Sequence, residues 1–113
     1  MRLLRVGALP EAPLAAAARF HAEILPLASA QLAQGGDWAL VFGAADHTHT
    51  AWRRAVVQEL ARAHAPQRVN ALAGGDEAAI AAAAAYLADA PGVTGQLLPL
   101  DGTGVTAMLY PQR

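Results

Sequence analysis

Four short segments with apolar residues are predicted strands, and alanine-rich stretches separate them. The segments cover residues 3–9, 38–43, 68–72 and 96–100, and the second is continuously apolar, as is typical of a buried strand in a parallel sheet. The intervening stretches at 14–34, 51–64 and 77–88 place apolar residues at helical spacing. Strands that alternate with helices predict an α/β fold with about four parallel strands and three main helices.

Local signals mark the ends of these elements. Pro26 lies inside the stretch 14–34 and is expected to kink or divide that helix. Asp76 precedes the stretch 77–88 and is expected to cap it. Right-handed crossovers would place the four strands side by side in a single domain over residues 1–113.

Composition excludes several classes of protein. The 113 residues are 55% hydrophobic and 15% charged, which argues against disorder, and the net charge of −1 gives no electrostatic footprint for nucleic acid. No apolar run reaches the roughly 18 residues that a membrane span needs. The first residues also lack the apolar stretch of a signal peptide, so we expect a cytoplasmic protein without membrane contact.

The absence of two kinds of reactive side chain excludes further chemistry. The chain has no lysine and no cysteine, and Ser29 is its single serine. Schiff bases, P-loop lysines, thiol nucleophiles and thiolate zinc sites are therefore excluded.

One polar cluster stands out as a candidate site. Asp46, His47 and His49 follow the second predicted strand, and Asn70 lies in the third. Ligands of such sheets bind at the carboxyl ends of the strands, so these four residues are the candidate ligand-binding residues. The two histidines are also consistent with an incomplete metal site, which His21 or His64 would have to complete. The simpler interpretation, a solvated loop that caps the next helix, leads us to expect no metal.

Three segments resemble the C-terminal half of the short-chain dehydrogenase/reductase family. Residues 52–61, which end in Glu-Leu-Ala, are similar to its fifth helix, and Arg68-Val69-Asn70-Ala71 is similar to the strand that follows. Residues 93–102 match the closing V-T-G-Q signature, its apolar strand and D-G. Residues 86–91 bear a faint resemblance to the pteridine-reductase branch. The resemblance implies a partial Rossmann-like three-layer sandwich, here a truncated domain.

The chain departs from the family where the family does its chemistry. No glycine-rich turn follows the first predicted strand, so the resemblance implies no cofactor-binding residues. Phe42 and Asp46 stand where the family has its catalytic tyrosine and lysine. We therefore assign no catalytic residues and expect no cofactor, with NADP only if another chain completes the site.

The resemblance also implies a partner. The fourth and fifth helices of the family form a four-helix interface between subunits, and they correspond here to residues 14–34 and 51–64. In addition, the strand at 3–9 would expose an unpaired edge. We expect a homodimer through these helices or docking on a full-length dehydrogenase relative.

Three functions follow from these observations. The first is a non-catalytic oligomeric scaffold or regulatory subunit. The second is a small-molecule-binding protein that uses the polar cluster. The third is an NAD(P)-dependent oxidoreductase, similar to pteridine reductases, that another chain completes.

Overall fold

The computed structural model describes residues 1–100, which contain four strands and a set of helices. The strands are β1 (Arg2–Arg5), β2 (Trp38–Phe42), β3 (Val69–Ala73) and β4 (Leu97–Pro99). The helices are α1 (Pro13–Arg19), a π-helical turn (Phe20–Ile24), α2 (Leu25–Leu32), a 3₁₀ turn (His47–His49), α3 (Thr50–Ala63) and α4 (Glu77–Ala88). The last part of the closing signature, from Asp101, and the tail to Arg113 lie outside the described residues.

The strands form one parallel sheet in the order β1-β2-β3-β4, which confirms the predicted α/β architecture. Leu4 of β1 is level with Leu40 of β2, and Leu40 is level with Ala71 of β3. All five residues of β2 are buried, as the continuous apolar run predicts. The first and last strands are shorter than predicted, with three or four residues each.

The two faces of the sheet carry separate apolar cores. Trp38, Leu40 and Phe42 of β2 pack with residues of the helical segment α1–α2 and of α3. The alternate residues Ala39 and Val41 pack with α4 on the opposite face. The fold is therefore a three-layer sandwich in which α4 alone forms the third layer of the described chain.

This placement of α4 corrects the expectation of three right-handed crossovers. The strands follow one another in one direction across the sheet. The crossovers that contain α1–α2 and α3 lie on one face, and the crossover that contains α4 lies on the other. With parallel strands in this order, the third crossover must have the opposite hand to the first two.

The predicted division of the first helical segment by Pro26 is confirmed. Proline has no N–H to donate to the carbonyl of Ala22, four residues earlier, and its ring crowds that carbonyl. The segment accommodates this by widening into the π-helical turn Phe20–Ile24 immediately before α2. Phe20 remains fully buried, so the wider turn keeps its ring in the core. Within residues 1–100, no helix is both long and apolar enough to span a membrane.

Candidate functional site

The carboxyl ends of the parallel strands enclose two neighbouring clefts. One, of about 110 Å³, is bounded by the loop after β2, the start of α3 and the ends of β3 and β4. The other, of about 430 Å³, lies between the loops that follow β1 and β2. Asp46, His49 and Arg53 line both clefts. This is the edge at which the sequence places a ligand site.

Asp46 organises the loop after β2. Its Oδ1 accepts a hydrogen bond from the backbone N–H of Thr48 at 3.0 Å, and a second from the Thr48 hydroxyl. These bonds cap the 3₁₀ turn that leads into α3. The hydroxyl bond, followed by the backbone bond, holds the pKa of Asp46 below its ordinary value. The carboxylate is therefore ionised and already engaged by its own loop.

His47 and His49 occupy different environments although they lie two residues apart. His49 is buried, and its Nδ1 accepts a hydrogen bond from Trp52 Nε1 at 3.1 Å. Its Nε2 then carries the proton and donates to the carbonyl oxygen of Glu11 at 2.9 Å. Both ring nitrogens of His49 are thus committed, whereas His47 is exposed. Within residues 1–100, no three His, Asp or Glu side chains come together in a metal-ligating group.

Asn70 lies apart from the other three candidate residues. It is completely buried near the start of β3, away from the carboxyl ends. Its amide nitrogen donates to the carbonyl oxygen of Val93, and its amide oxygen accepts from the backbone N–H of Gln96, both at 3.0 Å. The side chain therefore holds the segment that leads into β4 against β3.

Phe42, which stands where the family has its tyrosine, lies among the aromatic rings of the core. The Phe42 ring lies 5.7 Å from the Phe20 ring and 5.6 Å from the Trp52 ring, measured between centroids. Of the other candidate proton donors, Ser29 lies in α2 and Tyr86 packs on the opposite face of the sheet with α4. Neither side chain lines the two clefts.

Arg53 is the residue that the sequence analysis missed. It is buried in the first core-facing turns of α3, with 6% of its surface exposed. Its Nη1 donates to the carbonyl oxygen of Gly43 at 3.0 Å, and its guanidinium carbon lies 4.6 Å from the centre of the Phe42 ring. A signal was present, because Arg53 precedes Val56, Val57 and Leu60 by three, four and seven residues, which is the spacing of a buried helix face.

A comparison with protein-family models assigns this chain to a family. A family model described as "Short chain dehydrogenase-like protein", of the SDR-like family, matches residues 4–100. Searches of curated proteins and of solved structures gave no match. The matched segment contains all four strands and both clefts.

Proposed function

Because the chain belongs to the SDR-like family of short-chain dehydrogenase-like proteins, we propose that it is a non-catalytic member that acts as an oligomeric scaffold or regulatory subunit. The observation that carries this proposal is the composition of the clefts at the carboxyl ends of the strands. Among residues 1–100, no serine, tyrosine or lysine side chain lines them.

The residues present do not fit a nicotinamide nucleotide held in the family's manner. The resemblance implies a tyrosine as general acid, with a lysine that lowers its pKa and holds the ribose. Phe42 offers no proton at the first position, and Asp46 places a carboxylate at the second, which lacks the positive charge that lowers the pKa of the tyrosine. No step of hydride transfer is therefore assigned to this chain.

Self-association is supported by an apolar groove on the outer side of the helical layer. The groove, of about 360 Å³, runs between α2 and α3, and Leu25, Trp52, Val56 and Leu60 line it. Leu27 of α2, which does not line the groove, also leaves 67% of its surface exposed. An apolar patch of this kind on a small domain is typical of a protein interface.

The charges around this groove are neutralised within the chain. Arg19 pairs with Glu23, and Arg62 pairs with Glu59. A second copy would therefore meet a face with no net charge, which allows the same patch to pack on itself about a two-fold axis. The resemblance implies an interface of the same two helical segments, so we commit to a second copy as the occupant.

The solution mass tests this proposal. Ala55 is an exposed residue of the groove at the middle of α3, so Ala55→Arg would place a charge in the interface without disturbing the core. Ala85→Arg is the matched control, since Ala85 is equally exposed on α4 across the sheet. Light scattering should give a dimer for the parent protein and for Ala85→Arg, and a monomer for Ala55→Arg. A parent protein that stays monomeric at micromolar concentration would rule the scaffold proposal out.

The outer edge of β1 favours a second candidate, docking on a full-length dehydrogenase relative. Among residues 1–100, β1 pairs only with β2, so its other edge is free to accept a strand. The Ala55→Arg variant separates the two arrangements, because an edge-paired complex should persist in that variant.

A further inference from the structure

Arg53 holds a buried positive charge that no acidic side chain within residues 1–100 neutralises. Its Nε is buried and has no hydrogen-bond partner among these residues. Arg53 takes part in none of the four ion pairs of the described chain. The Phe42 ring and the Gly43 carbonyl offset only part of the charge. Removing a guanidinium from water without an anionic partner is strongly unfavourable, so the arrangement calls for an anion.

Two carboxylates, those of Asp46 and Glu11, border the clefts that Arg53 lines, and neither forms an ion pair with it. Asp46, which lines the same clefts, is bonded to Thr48. Glu11 lines the larger cleft but not the smaller one, and it takes part in none of the four ion pairs of the described chain. Within the smaller cleft, a ligand from solution is therefore the remaining source of negative charge.

The position of Arg53 within α3 strengthens the attraction for an anion. The amino-terminal end of a helix carries partial positive charge, and a cation close to it is disfavoured. Arg53 is the fourth residue of α3, and the first turn of that helix contains no acidic residue. Arg54 lines the smaller cleft beside it. The arginines outnumber the one carboxylate there, that of Asp46.

The lining of the smaller cleft indicates the size of the anion and the chemical group attached to its charge. Its volume of about 110 Å³ admits only a few heavy atoms. Guanidinium groups match the planar geometry of carboxylates. Beyond the arginines, much of the wall is hydrocarbon, contributed by Ala44, Ala45, Ala73, Leu97 and Pro99.

We propose that this cleft binds a small carboxylic acid, whose carboxylate pairs with Arg53 and whose short hydrocarbon group contacts the alanine- and leucine-lined wall. This is a ligand site in addition to the scaffold role, and it does not depend on the state of association.

An NMR titration with sodium propionate at constant ionic strength tests the site. The indole N–H of Trp52 serves as the reporter, because the Arg53 guanidinium carbon lies 5.8 Å from the Trp52 ring. The parent protein should show saturable shifts with propionate, and propionamide, which has the same shape without the charge, should produce none. Inorganic phosphate should bind more weakly than propionate, since it has no hydrocarbon group.

Arg53→Met removes the charge and keeps most of the volume, and Arg62→Met, at an exposed position of α3 outside both clefts, is the matched control. Replacing a buried charge by an apolar side chain is often neutral or stabilising, so Arg53→Met is expected to fold. Its propionate Kd should rise at least about tenfold, as expected for the loss of charge-assisted hydrogen bonds, whereas Arg62→Met should leave it unchanged. Arg53→Gln provides a second, polar variant with the same expected loss. Equal affinity in the parent protein and in the Arg53 variants, or an equal response to propionamide, would overturn the proposal.

Discussion

Trp52 donates its indole N–H to Nδ1 of His49 across 3.1 Å, and this bond ties the polar loop after β2 to the wall of the apolar groove. The same imidazole reaches the carbonyl oxygen of Glu11, which lies in the loop after β1. His49 therefore joins the candidate ligand clefts on one side to the candidate interface on the other.

Substitution of the two loop histidines is expected to have unequal effects. His49→Ala removes a buried ring and both of its hydrogen bonds, so it should lower the free energy of unfolding by about 2–4 kcal/mol. His47→Ala removes an exposed side chain and should change that free energy by less than about 0.5 kcal/mol. Urea unfolding of both variants checks this, and equal losses would contradict the structural role of His49.

Asn70→Ala should also destabilise the protein. The substitution leaves the Val93 carbonyl and the Gln96 N–H without their side-chain partner in a partly buried setting. Each unpaired buried group costs about 1–3 kcal/mol, so a total loss of about 2–5 kcal/mol is expected in urea unfolding. Gln96→Ala is the control, because it removes an exposed side chain and keeps the backbone bond. An Asn70→Ala variant as stable as the Gln96→Ala control would show that this bridge is unimportant.

The pair of Asp37 with Arg68 should make stability depend on pH in the acid range. The backbone N–H of Arg68, and then its side chain, hold the pKa of Asp37 below its ordinary value of 3.8. Because the folded pKa is depressed, the stabilisation is complete above pH 3.8 and is lost as the pH falls through the folded value.

Asp37→Asn removes this dependence. The difference in unfolding free energy between the parent protein and this variant should be largest near neutral pH and should shrink below pH 3.8. Asp89→Asn, at an exposed position without an ion pair in the described chain, is the control. A difference that stays constant from pH 7 to pH 2.5 would contradict the linkage.

Alanine substitutions at two glycines with positive φ distinguish the cost of backbone strain from the cost of a steric clash. Gly35 has a φ of +96° and open space around it, so Gly35→Ala should cost only about 1–2 kcal/mol. At Gly75, with a φ of +81°, a Cβ would lie 2.7 Å from Cβ of the buried Leu100. Gly75→Ala should therefore cost about 1–3 kcal/mol more than Gly35→Ala, measured by thermal or urea unfolding. Equal costs would indicate that Leu100 moves away freely.

The hydrophobic pattern was sufficient to predict the sheet and its helices. The continuous run at 38–43 identified β2, Pro26 identified the division before α2, and Asp76 does cap α4 by accepting from the N–H of Ala79. These features depend on local chemistry, which a sequence displays directly.

Features that depend on tertiary placement were harder to predict. The alanine-rich helix α4 has little difference between its sides, so its sequence does not indicate which face of the sheet it covers. Asn70 has a residue type suited to a ligand site, but its side chain is used to hold the segment before β4. Arginine is usually a surface residue, and only the spacing of Arg53 from the apolar residues of α3 indicates that it is buried.

Binding of nicotinamide nucleotides is the most direct test of the non-catalytic role. The melting temperature would be measured during titration with NADPH and, separately, with NADH. A nucleotide at about 100 times its Kd adds roughly 2.7 kcal/mol of stability, which raises the melting temperature of a domain this small by several degrees. We expect no rise with either nucleotide, because the chain has no lysine and no tyrosine among residues 1–100 lines the clefts. A saturable rise in melting temperature with either nucleotide would contradict the non-catalytic role and support the NAD(P)-dependent oxidoreductase alternative.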